Sequence, residues 1–190
     1  MWVSEVKAFV TSTGEPTRDL CIWSLERRGF EVVLLEDEST TLAQKLAGIY
    51  VMTDDDFVRV DADVIVTRPI DKTIEYFPAT DKTWWLQFQT YDMYKQRPTN
   101  GGIQFIRREA LPALRENIGK FLHDDRPETR MWNLDEFHKP RRCQAHLQHM
   151  AGLHGFGRQD LERVKKTKLG RKEPEVYDFE LAEKLMEFYK

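Results

Sequence analysis

The sequence has few cysteines, no long apolar run and little net charge. Cys21 and Cys143 are its two cysteines and they form no C-x-x-C pair, so neither a disulfide framework nor a zinc ribbon is predicted, and a reducing, cytoplasmic location is expected. No stretch approaches the about 20 apolar residues that span a bilayer, so no membrane span is expected. Because the net charge of −3 comes from intermixed acidic and basic residues, a phosphate-neutralising surface is not indicated and nucleic acids are not expected partners.

The composition that remains is that of a globular protein, with 190 residues of which 41% are hydrophobic and 32% charged. Short apolar segments at residues 6–10, 31–35 and 57–60 alternate with helical patterns, and Thr41 with Gln44 forms a capping-box signature before the second helix. This order predicts an α/β fold with a mostly parallel central sheet and helices on both faces.

The second half of the chain has a more mixed pattern. It predicts strands at residues 84–89 and 103–106, and a helix from about residue 109 to 122 with Pro112 in its first turn. A capped amphipathic helix is expected from Asp178 onwards. We therefore expect residues 1–190 to form a single domain in which residues 160–190 are a C-terminal helical extension.

Two aspartates interrupt an apolar stretch, FVRVDADVIV, where the third predicted strand ends. Asp61 and Asp63 flank Ala62 there, and buried carboxylates without a partner are costly. A divalent cation removes that cost, and Mg²⁺ or Mn²⁺ characteristically binds one or two carboxylates together with substrate phosphates. The position therefore predicts a metal site for a phosphate-bearing substrate.

A D-x-D pattern alone is weak evidence, because the chain contains a second match. Asp54 and Asp56 lie in a polar turn before the third strand, where a solvated loop or a helix-end role is expected. A structural alternative also stands for the first pair, in which Asp61 and Asp63 cap turns or pair with Arg59 or Arg68.

Three segments in order, VKAFVTSTGEPTRDLCIWSL, TLAQKLAGIY and DDFVRVDADVIV, resemble the nucleotide-binding half of GT-A glycosyltransferases. Further on, NGGIQFI resembles the N-x-G strand that lies beside donor sugar and acceptor in that fold. The resemblance covers roughly residues 6 to 160 and does not single out one family. It implies a GT-A (nucleotide-diphospho-sugar transferase) fold and a metal-dependent glycosyltransferase. Such an enzyme moves a sugar from a nucleoside-diphosphate sugar to a glycan or other hydroxyl acceptor. The donor is not carried over with the resemblance, and a UDP-sugar is the donor we expect.

The resemblance also implies roles for individual residues. The loop after the first strand would receive the base and ribose, two cations would lie near the diphosphate or donor sugar, and the glycine-rich strand would lie beside them. The loop residues are Thr11, Ser12 and Thr13, the cations are Arg18 and Lys45, and the strand residues are Asn100, Gly101 and Gly102. Together with Asp61, Ala62 and Asp63 they form the expected nucleotide-sugar site.

GT-A enzymes often complete the metal shell with a histidine near the end of the catalytic domain. The segment CQAHLQHMAGLHGFGRQDL offers His146, His149 and His154. We prefer His154, because flanking glycines would let the backbone approach a phosphate, and place His149 second. An ordinary surface or core histidine is the alternative for at least two of the three.

Asp135 and Glu136 fall where GT-A enzymes carry an acidic residue on the acceptor side. An inverting enzyme needs such a carboxylate as the general base for the acceptor hydroxyl. The motif is not unambiguous in this chain, so inverting and retaining mechanisms both stay open. Trp84, Trp85 and Trp132 are candidates for sugar stacking, with a place in the core as the commoner alternative.

Two other functions are compatible with parts of the pattern. A haloacid-dehalogenase-like phosphatase also has a D-x-D after an apolar strand, but its nucleophile normally ends the first strand, whereas Asp61 follows two β-α units. A sugar-nucleotide-binding module without catalysis would share most residues with the enzyme.

Overall fold

The computed structural model describes residues 6–67, 70–76, 83–92, 97–124, 126–137, 142–145 and 151–155. The predicted extension at 160–190, including the helix expected from Asp178, lies outside these residues. The strands are β1 (Lys7–Ser12), β2 (Glu31–Glu36), β3 (Phe57–Asp61), β4 (Val64–Val66), β5 (Trp85–Asp92), β6 (Arg97–Ile106), β7 (Arg142–Ala145) and β8 (Gly152–His154). The helices are α1 (Arg18–Glu26), α2 (Leu42–Met52), α3 (Ile70–Tyr76), α4 (Leu111–Ile118) and α5 (Pro127–Trp132).

The first half follows the predicted β-α-β-α-β order. After α1 the chain turns at Gly29, whose φ of 83° is in the left-handed region that favours glycine. At the start of α2, the Thr41 hydroxyl accepts from the Gln44 N–H and the Gln44 side chain accepts from the Thr41 N–H, so the predicted capping box is confirmed. These local signals set the boundaries between strands and helices.

The sheet has the strand order β2-β1-β3-β6-β5-β8-β4, and β7 also pairs with β5. Strands β2, β1 and β3 are parallel, and β7 and β8 run parallel to β5, while β6 is antiparallel to both β3 and β5. In register, Thr11 of β1 lies beside Asp61 of β3. The first loop and the aspartate motif therefore meet at the carboxyl edge of the parallel strands, as the sequence predicted.

Alternating residues of the central strands face two separate apolar layers. On one face, Val10 and Val60 join α1 through Cys21 and Leu25. On the other, Phe9, Phe57 and Trp85 pack with α2, α4 and α5. Because both sheet faces are covered by helices, the predicted layer arrangement is confirmed.

Some predicted boundaries were wrong. The helix expected at 109–122 is divided into a 3₁₀ turn at Arg108–Ala110, helix α4, and a second 3₁₀ turn at Gly119–Phe121. Strands β5 and β6 are also longer than predicted, because they pair through a polar stretch that has no apolar alternation. Within the described residues, no helix combines the length and apolar content required to cross a membrane.

Candidate metal centre

Two aspartates and one histidine converge at the carboxyl edge of the sheet. One ligand atom from each of Asp61, Asp63 and His154 lies within 4.8 Å of the other two. Nε2 of His154 is 3.5 Å from Oδ1 of Asp63. Carboxylate oxygen and imidazole nitrogen together suit a divalent ion such as Mn²⁺ or Mg²⁺. The histidine preferred from sequence is thus the one that reaches the aspartates, whereas His149 lies outside the described residues.

The backbone of the motif is held by three different parts of the fold. The Ala62 N–H donates to the carbonyl of Thr11 at 3.0 Å, and the Ala62 carbonyl accepts from the Thr17 hydroxyl at 3.2 Å. The Asp63 carbonyl accepts from the Gly155 N–H at 3.0 Å, which ties the motif to the segment that carries the histidine. Ala62 itself is buried. These contacts fix the backbone from which the Asp61 and Asp63 side chains project.

Glycine at position 102 allows β6 to pass close to the histidine. A Cβ atom built there would lie 2.6 Å from Cγ2 of Val64 and 3.3 Å from Cδ2 of His154, and its φ is +78°. The N-x-G segment therefore does contact the cluster, through the imidazole ring. Gly152 has a similar packing reason, since its Cβ would lie 2.5 Å from the carbonyl oxygen of Ile65 on β4.

The structural alternative considered for Asp61 is partly realised. Its Oδ1 accepts a hydrogen bond from the guanidinium of Arg59, which also donates to the Thr11 hydroxyl at 3.2 Å. The Arg59 side chain is 2% exposed and that of Asp61 is 30% exposed. Oδ1 of Asp61 is thus held by the buried Arg59 side chain. Arg68, the other proposed partner, lies outside the described residues.

Behind Asp61, the Arg59 guanidinium belongs to a buried polar group that includes Tyr50, Gln104 and Glu128. Within the described residues, Nε of Arg59, the Tyr50 hydroxyl, Oε1 of Gln104 and Oε2 of Glu128 are buried atoms without a hydrogen-bond partner. Burial raises the pKa of Glu128, with Arg59 opposing and Asp61 adding to the rise. This cluster interacts electrostatically with Asp61 from the α5 side of the sheet.

The first loop, predicted to receive base and ribose, is organised by Glu15. Its carboxylate accepts from the Ser12 hydroxyl at 2.9 Å and from the N–H and hydroxyl of Thr13 at 2.8 and 2.7 Å. The Gly14 N–H donates to the Ser12 hydroxyl at 3.0 Å. Most of the loop's donors therefore have an internal acceptor. The spacing of Ser12 and Glu15, which is that of a capping box, could have indicated this contact from the sequence.

The two predicted cations both lie near this loop. Arg18 donates to both carboxylate oxygens of Glu36 at 2.7 and 2.6 Å. Lys45 is buried and its ammonium donates to the Ser12 carbonyl; burial lowers its pKa. Beside them is a cavity of about 380 Å³ between the end of β2 and α2, lined by Leu34, Leu35, Glu36, Asp37, Thr40, Gln44 and Lys45 among others.

The acidic residues proposed for the acceptor side lie on a 3₁₀ turn at Asp135–Phe137, and both carboxylates are exposed. Phe137 fixes this turn against Trp84 and Trp85, with ring centroids 6.4 and 5.4 Å apart. Trp85 is fully buried and also stacks edge-on with Trp132. These rings therefore serve the core, which was the alternative to sugar stacking.

The second D-x-D pattern has the structural role expected of it. Asp54 is exposed and pairs with Arg115 at 2.6 Å, and Asp56 accepts from the Arg108 N–H at 2.9 Å. Arg115 also donates to the carbonyls of Tyr50 and Thr53, at the end of α2. The turn thus joins α2 to α4 and lies apart from the histidine.

Comparison with known proteins gives matches in fold alone. No protein-family model matches the chain, and no curated protein matches it in sequence. Among solved structures, a glycosyltransferase involved in the glycosylation of the major capsid of PBCV-1 aligns with TM-score 0.53 and 14% identity, over 78% of this chain and 92% of that chain. A Bacillus anthracis protein assigned as a glucose-1-phosphate thymidylyltransferase, crystallised with sucrose, aligns with TM-score 0.53 and 11% identity, over 88% and 96%.

A third similar structure is 4-diphosphocytidyl-2C-methyl-D-erythritol synthase from Anaerococcus prevotii, with TM-score 0.50 and 10% identity over 87% of this chain and 98% of that one. Glycosyltransferases and nucleotidyltransferases of this kind share one architecture. The chain therefore has the GT-A-like fold of nucleotide-diphospho-sugar transferases, as its sequence motifs indicated. At these identities the likeness establishes the fold, and the reaction has to be argued from the site.

Proposed function

We propose that this protein is a metal-dependent glycosyltransferase, which transfers a sugar from a nucleoside-diphosphate sugar to a hydroxyl acceptor. The observation that carries the proposal is the convergence of Asp61, Asp63 and His154 within 4.8 Å at the carboxyl edge of the sheet. That edge is where ligands of open α/β sheets bind.

The donor set fits a divalent ion held together with a diphosphate. Asp63 is 3% exposed and Asp61 is anchored by Arg59, so the two carboxylates are held in place before a cation arrives. A bound Mn²⁺ or Mg²⁺ would supply Lewis acidity that offsets the charge on the leaving diphosphate. Asp61, Asp63 and His154 would hold the ion, and the remaining protein groups would bind and orient the donor.

The cavity beside the first loop has a size and composition that suit the donor's nucleoside. Its volume of about 380 Å³ lies in the range of small-molecule sites, and it combines apolar walls with Lys45, Glu36 and Thr40. A UDP-sugar is the donor we favour. Asp135 and Glu136 remain our proposed acceptor-side acids. Both are exposed, and their turn packs on Trp85, which the β5–β6–β3 pairing places at the end of β3 opposite Asp61, so the acceptor would have to reach them from the metal cluster.

The competing reaction on this fold is nucleotidyl transfer, which starts from a nucleoside triphosphate and a sugar phosphate. Free backbone N–H groups in the first loop are one way to bind a triphosphate. Here the Glu15 carboxylate already accepts from the Thr13 N–H, and a second negative charge at this point would be repelled. This contact favours a donor whose phosphates lie at the metal cluster.

The test is a thermal-shift screen of nucleoside diphosphates and UDP-sugars, with Mn²⁺, with Mg²⁺ and with EDTA. Ligands that bind the native state raise the melting temperature. At a concentration 100 times Kd, such a ligand adds about 2.7 kcal/mol to the free energy of unfolding. We expect a shift that requires the metal and that disappears in Asp63→Ala. Asp54→Ala is the matched control, because it alters the chain's other D-x-D pattern, and it should retain the shift.

Other outcomes identify the other functions. Metal-independent binding or none contradicts the metal site. Release of phosphate from a generic phosphomonoester that Asp61→Asn abolishes would indicate the phosphatase, although Asp61 ends β3 rather than the first strand. A response to a nucleoside triphosphate with a sugar 1-phosphate would indicate a nucleotidyltransferase. Slow donor hydrolysis without transfer to any acceptor would leave a binding module.

A further inference from the structure

Asp92, which no sequence motif marks, lies on the far side of the candidate metal-binding histidine. It is the last residue of β5, and its Cα is the register partner of His154 on the parallel strand β8. Its side chain is 3% exposed, compared with 16% for that of His154. The pairing of two strands therefore delivers a buried carboxylate beside the imidazole.

The two ring nitrogens of His154 face different carboxylates. Nε2 is 3.5 Å from Oδ1 of Asp63, and Nδ1 is 3.8 Å from Oδ2 of Asp92. The second distance exceeds the about 2.9 Å of a hydrogen bond, and Nδ1 of His154 is a buried atom. Catalytic and ligand contacts are often long before the ligand binds. An ionised carboxylate can only accept, so such a contact requires the proton on Nδ1.

We infer that Asp92 is a positioning residue that holds His154 as the Nδ1–H tautomer, with the Nε2 lone pair directed at the ion shared by Asp61 and Asp63. The inference rests on the proposed metal-binding function. Neutral imidazole binds a metal through the nitrogen without a proton, and the partner of the other nitrogen decides which one that is. Gly102 supports the same orientation, because its missing side chain leaves room for the ring.

Two simpler roles for Asp92 make different predictions. Arg97 lies opposite Asp92 in the β5–β6 register, so the carboxylate could serve only to balance that cation. It could also act only as one more negative charge near the metal. Neither role fixes a proton on Nδ1, so the tautomer of His154 separates them from the positioning role.

The experiment is a two-bond ¹H–¹⁵N correlation spectrum of the full chain in EDTA, followed by a calorimetric titration with Mn²⁺. The His154 signals are assigned with His154→Gln. Because Oδ1 of Asp63 faces Nε2 when no metal is bound, the spectrum is recorded again with excess diamagnetic Mg²⁺. In the wild type under that condition, we expect Nδ1 to carry the proton and Nε2 to have the shift of an unprotonated nitrogen. In Asp92→Asn, whose amide can donate as well as accept, we expect a mixed or reversed tautomer and Mn²⁺ affinity weakened about 10- to 100-fold.

Glu128→Gln is the matched control, since it removes another buried carboxylate that interacts with Asp61 but does not adjoin His154. It should leave the tautomer as in the wild type. A melting curve of each variant in EDTA verifies that it is folded. Asp92→Asn with an unchanged tautomer overturns the inference, even if Mn²⁺ binding weakens, because the effect is then one of charge alone. If the tautomer is as expected but the wild type binds no Mn²⁺, the proposed function fails while the positioning contact stands.

Discussion

Replacing Gly102 with alanine tests how closely β6 approaches the metal cluster. The new Cβ would lie 2.6 Å from Cγ2 of Val64 and 3.3 Å from Cδ2 of His154. Real Cβ atoms essentially never approach other atoms to 2.6 Å, so Val64 or the strand must move. The residue also has a φ of +78°, which an L side chain adopts at a cost.

The magnitude has two parts. A left-handed backbone costs an L residue about 1–2 kcal/mol, and overpacking a well-packed site costs about 1–3 kcal/mol. We therefore expect Gly102→Ala to lower the free energy of unfolding by about 2–5 kcal/mol. For a chain of this size that is a decrease in melting temperature of about 5–20 °C. Because His154 is one of the displaced neighbours, Mn²⁺ binding should weaken as well.

The assay is urea denaturation in EDTA together with a calorimetric Mn²⁺ titration. Gly29→Ala is the matched control, because Gly29 has nearly the same φ, +83°, and nothing lies within 4 Å of a Cβ built there. It should lose only the conformational part, about 1–2 kcal/mol, and bind Mn²⁺ normally. Equal losses in the two variants, with Mn²⁺ affinity unchanged in both, would refute the close contact between β6 and the histidine.

Three further predictions concern the scaffold around the site. In EDTA, an Arg59→Met and Asp61→Asn double-mutant cycle should give a coupling energy of about 1.5–3 kcal/mol in urea denaturation; a value near zero would mean that this partly buried ion pair contributes nothing. Since burial raises the pKa of Glu128 above 4.5, the native state retains a proton that the unfolded state has lost. Urea curves at pH 4 and pH 7.5 should therefore show Glu128→Gln gaining stability relative to wild type as pH rises; a pH-independent difference contradicts this. Thr41→Ala should cost about 1 kcal/mol, and no loss in the same assay would mean that the capping box is dispensable.

The first half of the fold followed from local signals. The capping box at Thr41, the glycine after α1 and the apolar strands set boundaries within a few residues, because each depends on neighbours in sequence. The strand that carries Asp61 was also predictable. Because the motif follows two β-α units and ends an apolar strand, Asp61 is expected at the carboxyl edge of the sheet.

The rest of the site depends on contacts between residues that are far apart in the sequence, which no local pattern predicts. Nothing near Asp92 indicates that β8 will pair with β5 and bring His154 to it. Glu128 follows a proline at the start of a short helix, where an exposed acid would be expected, yet α5 packs so that its carboxylate is buried beside Arg59. The divided helix at 108–121 was missed because its apolar period continues through both 3₁₀ turns.

The parallel pairing of β8 with β5 has a consequence for the order of folding. Asp63 and His154 are separated by nearly half the chain, and they meet only when β8 pairs with β4, where Val64 is the register partner of His154, as well as with β5. Long-range strand pairing bears a large loop-closure cost and forms slowly. The half of the sheet that carries Asp61 and Asp63 can therefore assemble before the proposed third ligand, His154, arrives. Mn²⁺ affinity acquired during refolding would then report the last step of assembly, later than the burial of the β1–β3 core.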